Sequence, residues 1–489
     1  MKFYFITGAQ DLYGEETLRL VAKNSRAIVN GLNKAGTLPF KLELKNTAIS
    51  DSAITEVMLE ANSDPDCGGI ITWMHTFSPA KMWIEGLRLL DKPYLHLHTQ
   101  FNREIPWDEI DMDFMNLNQS AHGDREHGFM AARLRKPHAV AAGYWKDAET
   151  QEKIADFMAA AAGVMEGRKL RCARFGDNMR NVAVTEGDKI EAQIKLGWQV
   201  NSWGIGDLCD MMREVPDKAV DAEFEAVCEK YELCTDDISE VKNQLRITIA
   251  LRGFMKENKI SAFVTSFQDL HGMKSLPGMA SQLLMAEGYG FGAEGDWKTS
   301  CLTRVMKVMA EAKKTPGGTT FMEDYTYNLK KGDETVLGAH MLEVCPSIAA
   351  DKPKIEVHPL GIGGKEPPAR LVFESGESEA INVTLVDMGG RLRMIVQEIS
   401  TIAPIHHMPN LPVAATMWRP KPDMLSAAEM YIYSGGAHHF VLSQQLRYAD
   451  MARFAEMVGI ECVRIGDGVT MEALKQTLLI NEVASRLGI

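Results

Sequence analysis

The chain has 489 residues, of which 45% are hydrophobic and 24% are charged, and its formal net charge is −13. This composition is typical of a globular protein with a sizeable core, and the negative charge argues against nucleic acid as a partner, because such proteins bind the phosphate backbone through clustered Lys and Arg. No run of 18 apolar residues and no export signal is visible, so we expect a cytoplasmic protein with no membrane partner.

The first part of the chain alternates between predicted strands and helices. Strands are predicted at 2–8, 40–44, 69–74, 93–98 and 139–144, and helices at 18–36, 51–62, 79–90 and 147–165. This alternation favours a doubly wound parallel sheet with helices on both faces. Ligands of such sheets bind at the carboxyl ends of the strands. Gln10, Tyr13, His75 and Gln100 directly follow strands, although each could equally be an ordinary polar loop residue.

Two further segments of this part bear on ligands. The turn at 8–14 lacks the G-x-G-x-x-G spacing of a dinucleotide site, which argues against that cofactor. The segment 111–123 is rich in amides and contains His122. Amides and a histidine suit hydrogen bonding to a polyhydroxylated ligand, and a capped helix with a surface histidine is an equally good interpretation.

The α/β pattern begins again after residue 170 and then changes to short strands. The second part has predicted strands at 170–175 and 262–265 and helices at 218–231 and 238–257. Later strands are predicted at 369–373, 381–386 and 392–396, with a helical tail after residue 450. We therefore predict three domains: 1–170 and 171–318, both α/β, and 319–489, mostly β.

The second half of the chain also carries four signals of a metal site. Glu294 lies among glycines ahead of a helix, Glu323 begins an acidic pair, His340 lies two residues after Gly338, and His438 and His439 form a pair near the end. Carboxylate and imidazole ligands together suit manganese or another first-row divalent ion. Each residue alone has an ordinary structural interpretation, and their concentration in one half of the chain is what favours the metal site.

The segments that carry these residues resemble those of L-arabinose isomerases. The resemblance follows the whole chain in matching order, and its most specific segments are 8–18, 72–87, 98–129, 175–189, 288–299, 321–327, 338–349 and 435–439. It implies two Rossmann-like α/β domains followed by a β-barrel-like domain. It also implies a homohexamer with active sites between subunits and one divalent ion, typically Mn²⁺, per subunit.

The resemblance also assigns roles to individual residues. The metal ligands that it implies are Glu294, Glu323, His340 and His439. The sugar contacts that it implies are Gln10, Leu12, Tyr13, Met179, Phe267 and His438. His122 is expected to serve the active site of a neighbouring subunit.

An aldose–ketose isomerase requires a base that moves a proton from C2 to C1 of the sugar through a cis-enediol. Glu294 and Glu323 are the candidate catalytic residues, and a hydride shift would use the same ligands. Three other functions stay open at this point: a non-catalytic sugar-binding protein, an isomerase of another aldose, and a metal-dependent hydrolase. No H-E-x-x-H motif supports the hydrolase.

Overall fold

The computed structural model describes residues 1–361, 364–404 and 408–488. It divides into two compact units, Met1–Met165 and a second unit that begins at Glu166. The three-domain boundaries given above stay a prediction. No helix within the described ranges is long and apolar enough to cross a membrane.

The first unit is a parallel five-stranded sheet with its connecting helices. Its elements are β1 (Lys2–Gly8), α1 (Gly14–Ala35), β2 (Lys41–Leu44), α2 (Asp51–Ser63), β3 (Cys67–Met74), α3 (Ile84–Leu89), β4 (Tyr94–His98), α4 (Met112–Leu117), α5 (Ser120–Arg133), β5 (Ala139–Ala142) and α6 (Ala148–Gly167). The strand order is β2-β1-β3-β4-β5, with every pairing parallel. The predicted doubly wound sheet is confirmed.

The alternation of side chains along β1 explains why helices cover both faces. Phe3 packs edge-on against Phe157 of α6, and Thr7 is hydrogen-bonded to Ser25 of α1, so the odd-numbered residues face those two helices. Tyr4 and Ile6 of β1 belong to a buried cluster with residues of α2 and α3. Because successive side chains of a strand point to opposite faces, one apolar strand needs cover on both sides.

A buried polar network lies within this unit at β4 and α5. Asp124 accepts hydrogen bonds from His98 Nδ1 at 2.6 Å and from the backbone N–H of Met74 at 3.1 Å. His96 Nε2 lies 2.9 Å from the same carboxylate, and its Nδ1 is hydrogen-bonded to Thr72. The carboxylate is thus surrounded by donors, as a buried charge requires.

The second unit opens with a smaller parallel sheet. Its elements up to residue 313 are β6 (Arg171–Phe175), α7 (Lys189–Leu196), β7 (Gln199–Trp203), α8 (Ile205–Glu214), α9 (Asp217–Lys230), β8 (Glu232–Leu233), α10 (Ile238–Glu257), β9 (Ala262–Thr265), α11 (Gly278–Ala286), β10 (Gly290–Gly292) and α12 (Trp297–Lys313). The order β10-β9-β6-β7 is parallel throughout, so this second α/β prediction is also confirmed.

The rest of the second unit is built around a closed antiparallel barrel. Its elements are β11 (Thr319–Asn328), β12 (Thr335–Ala339), β13 (Lys354–Val357), β14 (Ala369–Val372), β15 (Ser378–Asp387), β16 (Leu392–Ile402), β17 (Ala415–Pro420), α13 (Met424–Tyr433), β18 (His439–Ser443), α14 (Tyr448–Val458), β19 (Glu461–Ile465) and α15 (Met471–Leu487). The order β15-β18-β11-β12-β17-β16 is closed by pairing of β15 with β16, which confirms the barrel-like domain.

Two local predictions need correction. The tail after residue 450 is not purely helical, because β19 lies between α14 and α15 and pairs in parallel with β16. The helix expected at 79–90 is divided into a 3-10 turn at Ala80–Trp83 and the short α3. Separately, β13 and β14 form a small sheet with β8 outside the barrel.

Candidate active site

Three of the four predicted metal ligands come from neighbouring strands of the barrel. Glu323 lies in β11, His439 is the first residue of β18, and His340 directly follows β12. In the antiparallel register Glu323 is opposite His439 on one side and Ala339 on the other. Because opposed residues of paired strands are close neighbours, the register itself brings these three side chains together.

Glu294 reaches the same place from the turn between β10 and α12. Its φ angle is +57°, a left-handed conformation that a non-glycine residue rarely adopts. The backbone N–H of Met179 donates to the carbonyl of Glu294 at 2.9 Å, and the N–H of Gly295 donates to Thr265 at 3.1 Å. These bonds hold the strained turn in place. Strained backbone of this kind is often found at functional sites.

The predicted ligands face one another at distances near 4 Å. Glu294 Oε2 lies 3.9 Å from His439 Nε2, and Glu323 Oε2 lies 4.0 Å from His340 Nε2. The buried ring of Phe321 packs edge-on against both histidines, with centroid distances of 4.9 Å to His340 and 5.1 Å to His439. The structure therefore places each predicted glutamate ligand near a predicted histidine ligand, and both histidines against one aromatic side chain.

The tightest group of donor atoms differs from the predicted ligand set. Glu294, His438 and His439 each offer an atom within 4.8 Å of the other two. This group contains His438, which was predicted as a sugar contact, and it leaves out Glu323 and His340. The four-residue ligand set consequently stays a prediction.

A carboxylate fixes the orientation of His340. Glu343 Oε2 lies 2.5 Å from His340 Nδ1, and the same oxygen accepts the backbone N–H of Leu342 at 3.2 Å. An oxygen that accepts from Leu342 favours the tautomer in which His340 donates its Nδ1–H. The lone pair of Nε2 then faces Glu323, as a metal ligand requires.

Asp296 orients His439 in the same way. Its Oδ2 lies 3.3 Å from His439 Nδ1 and accepts the hydroxyl of Thr299 at 2.7 Å. His439 Nε2 is buried without a hydrogen-bond partner among the described residues. A buried imidazole nitrogen with a free lone pair, held from behind by a carboxylate, is the arrangement found at metal sites.

The two candidate catalytic carboxyl groups have pKa values shifted in opposite directions. Burial raises the pKa of Glu323 above its ordinary value. Burial also acts to raise the pKa of Glu294, but the nearby imidazoles of His438, His439 and His340 outweigh it, so the net shift is downward. Neighbouring acids with shifted pKa values of opposite sign are typical of acid–base sites.

The two histidines and Asp296 also have shifted pKa values. Burial acts to lower the pKa of His340, yet the carboxylate of Glu343 leads the charges that raise it overall. Burial lowers the pKa of His439, with the bond to Asp296 opposing this only in part. Asp296 itself has a pKa lowered to about 2, because Lys298 and His439 outweigh the effect of its burial.

Three of the predicted sugar contacts lie beside these residues. Met179 is held against the Glu294 turn by its backbone N–H, as described above. Phe267 lines a pocket together with Glu294 and His340. His438 Nε2 lies 3.6 Å from Glu294 Oε2. Their roles in sugar binding remain predictions, but their positions fit a pocket that adjoins the carboxylates.

The other four predicted contacts belong to the first unit. Tyr13 donates its hydroxyl hydrogen to Gln119 at 3.1 Å, and His122 Nε2 lies 2.9 Å from the same amide oxygen. Gln10 donates to the backbone carbonyl of Phe77 at 3.0 Å. Leu12 is 82% exposed. Tyr13 and His122 thus share the amide oxygen of Gln119, and sugar binding by all four residues stays a prediction.

The reasoning from sequence missed Asp296 and Glu343. Asp296 is two residues beyond Glu294 and also caps α12 through the backbone N–H of Thr299. Glu343 is three residues beyond His340. Acidic residues at these spacings have no special meaning in a sequence, and their contact with a histidine ring depends on the fold.

Three family models match consecutive parts of the chain. The L-arabinose isomerase N-terminal domain matches residues 1–169, the central domain matches residues 171–312, and the C-terminal domain matches residues 318–461. Together they cover most of the sequence.

Curated relatives match along nearly the full length. The L-arabinose isomerase of Geobacillus stearothermophilus is 54% identical over 488 residues, which is 99% of this chain and 98% of that enzyme. L-arabinose isomerase 1 of Bacillus licheniformis is 54% identical with the same coverage of both chains. The L-arabinose isomerase of Thermotoga petrophila is 52% identical over 99% of this chain and 97% of that enzyme. The chain therefore belongs to the L-arabinose isomerase family and is an aldose–ketose isomerase.

Proposed function

We propose that this isomerase interconverts L-arabinose and L-ribulose in the cytoplasm, and D-galactose and D-tagatose as a second pair. The proposal rests on the names of its relatives and on the two Glu–His pairs that the four predicted ligands form. The observation that carries it is the pair of histidines whose Nδ1 atoms lie against carboxylates, so that both Nε2 atoms are left for a ligand.

The residues present fit one divalent cation, with Mn²⁺ as our choice. Glu294 and Glu323 supply oxygen, His340 and His439 supply nitrogen, and the buried Nε2 of His439 has no other partner among the described residues. Two carboxylates would neutralise a divalent charge, and this mixed ligand set suits first-row metals. When bound, such an ion would polarise the sugar carbonyl and make the C2 proton more acidic.

In the proposed reaction the two glutamates divide the proton transfers. One carboxylate takes the proton from C2 and returns it to C1, which forms and then consumes a cis-enediol. The second carboxyl group exchanges a proton between O1 and O2. Both side chains are largely buried, since the side chain of Glu294 is 12% exposed and that of Glu323 is 21% exposed. Exclusion of water strengthens their interaction with the reacting atoms.

The other groups of the site hold these residues in place. Glu343 and Asp296 fix the tautomers of the two histidines, and the ring of Phe321 packs against both imidazoles. We also propose that the chain forms a homohexamer in which His122 of one subunit completes the active site of a neighbour. The support for the hexamer is the family membership.

The test follows the aldose and the ketose by proton NMR in D₂O. Purified protein treated with EDTA should not convert L-arabinose, and added Mn²⁺ should restore L-ribulose formation. Transfer through an enediol would place solvent deuterium at C1, whereas a hydride shift would not. Loss of one catalytic carboxylate in Glu323→Gln should lower kcat by at least about a hundredfold.

The matched control is Glu311→Gln, which removes an exposed carboxylate on α12 and should leave kcat unchanged. A protein that binds Mn²⁺ and L-arabinose without producing ketose would contradict the isomerase proposal and favour a binding protein. If the protein converted only a different aldose, the isomerase reaction would stand but L-arabinose would be the wrong substrate. Hydrolytic products would favour a hydrolase.

A further inference from the structure

Lys298 is a fully buried lysine beside the candidate active site. It lies in the first turn of α12 with 0% of its surface exposed. Its Nζ donates to the backbone carbonyl of Thr185 at 2.9 Å and to that of Glu186 at 2.6 Å, and it lies 3.5 Å from Asp296 Oδ1. A buried ammonium group is costly to desolvate, so these three partners together are what make its position tenable.

The carbonyl groups that Lys298 binds belong to the segment 176–187, which contains Met179. This segment touches the Glu294 turn at two other points. The backbone N–H of Met179 donates to the carbonyl of Glu294, and Asn178 Nδ2 donates to the carbonyls of Thr185 and Gly295 at 2.6 and 3.3 Å. Hydrogen bonds of Asn178 and Met179 therefore join the start of the segment to the turn, and those of Lys298 join its end to α12.

We propose that Lys298 is a positioning residue that fastens the segment 176–187 to the turn carrying Glu294 and Asp296. The inference rests on the proposed function, since it takes Met179 as a sugar contact. Among the described contacts, Lys298 makes no hydrogen bond to the predicted ligands or to the sugar contacts. It acts through the main chain that carries Met179 and through Asp296, which orients His439.

The chemistry of the contacts explains why a lysine suits this role. A single ammonium group has three hydrogens, and it meets two backbone carbonyls and one carboxylate. A methionine of similar length would leave both carbonyls without this donor and Asp296 without its nearest cation. Within the part of the chain that the structure describes, the carbonyl of Thr185 would keep the bond from Asn178 alone, and that of Glu186 would lose the donor described above.

The variant Lys298→Met tests the inference with two independent measurements. Backbone hydrogen exchange of peptides within 176–187 should become about tenfold faster, because the segment opens more often. The KM for L-arabinose should rise about tenfold while kcat falls by less than about threefold. Lys298→Gln keeps a hydrogen-bond donor but no charge. Its exchange rates and KM should therefore lie between those of the wild type and those of Lys298→Met.

The matched control is Lys307→Met on the same helix. Lys307 also donates to a backbone carbonyl, that of Thr319 at 2.7 Å, but it has no bond to 176–187 among the described contacts. Its removal should leave both the exchange of that segment and KM unchanged. A comparable effect of both variants would indicate general loosening of α12 and would overturn the inference.

A double-mutant cycle then separates positioning from simple destabilisation. If Lys298 acts through Met179, the change Lys298→Met should raise KM little further in a Met179→Ala background. Fully additive increases, or unchanged exchange in 176–187, would overturn the role of Lys298. A wild-type protein without isomerase activity would instead refute the proposed function, and the exchange measurement would still decide whether Lys298 holds the segment.

Discussion

At the scale of single residues, neighbouring carboxylates determine which ring nitrogen of a histidine is available to a ligand. Glu343 and Asp296 each lie against an Nδ1 atom and leave the opposite nitrogen for a ligand. In the first unit Asp124 similarly lies between His96 and His98. A histidine in a sequence carries no sign of its tautomer, which is why these partners could be found only in the fold.

The pair of His98 and Asp124 gives a prediction about pH. The hydrogen bond to Asp124 raises the pKa of His98 above its ordinary value of 6.5. The folded state therefore binds more protons than the unfolded state as pH increases from 6.5 through the raised pKa. The stabilisation by His98 is fully present below pH 6.5 and is lost across that interval.

The neutral variant His98→Gln should consequently lower Tm more at acidic than at alkaline pH. The difference should be small, because the side chain of His98 is 42% exposed and water screens the pair. Thermal unfolding of both proteins from about pH 5 to about pH 9 measures it. His271→Gln, an exposed histidine of the second unit, serves as the control, and a pH-independent difference would contradict the assignment.

At the scale of elements, hydrophobic periodicity predicted much of the two parallel sheets, and glycine turns marked two strands of the barrel, β15 and β16. Other strands were not predicted one by one, β10 and β19 among them. β10 (Gly290–Gly292) has glycine at two of its three positions and so shows no alternating pattern, and β19 (Glu461–Ile465) is short and lies between two helices. The segments carrying the ligands were recognised, but the register that brings Glu323 opposite His439 is a long-range property.

The turn at Gly295 provides a prediction at this scale. Its φ angle is +78°, and an added Cβ would lie 2.5 Å from the Cα of Asn178 and from the carbonyl oxygen of Asp177. Gly295→Ala must therefore displace the backbone that carries Glu294. We expect the variant to lose about 1–3 kcal/mol of unfolding free energy and most of its isomerase activity.

Denaturant unfolding and kinetic assays on the same preparation measure these effects. The control is Gly206→Ala in α8, where an added Cβ meets nothing within 4 Å. That change should be neutral or slightly stabilising, because alanine favours the helical conformation. Equal stability of the two variants would show that the turn tolerates a side chain.

At the scale of the whole molecule, the predicted site residues are divided between two compact units. The predicted metal ligands lie in the unit that begins at Glu166, and His122 lies in the unit Met1–Met165. In the proposed hexamer, His122 of one subunit would complete the active site that contains the predicted metal ligands of a neighbouring subunit. A heterologous contact of this kind can join subunits into a closed ring.

Mixing two inactive variants tests the shared site. Glu294→Gln and His122→Asn should each have little activity alone. After dissociation and joint reassembly, some sites would combine an intact Glu294 with an intact His122, and activity should return to about a quarter of wild type. The Glu294→Gln variant reassembled with itself is the control. Activity no greater than the sum of the separate variants would contradict a site completed by the neighbour.

The strand register of the barrel also bears on how the protein matures. Glu323, His340 and His439 come together only when β11 has paired with both β12 and β18, and β18 is far along the chain from the other two. Contacts between such distant segments form late in folding, because long loops must close first. The proposed ion would therefore meet scattered, weak ligands on the nascent chain, and we expect its capture in the final stage of biogenesis rather than during the collapse of the polypeptide.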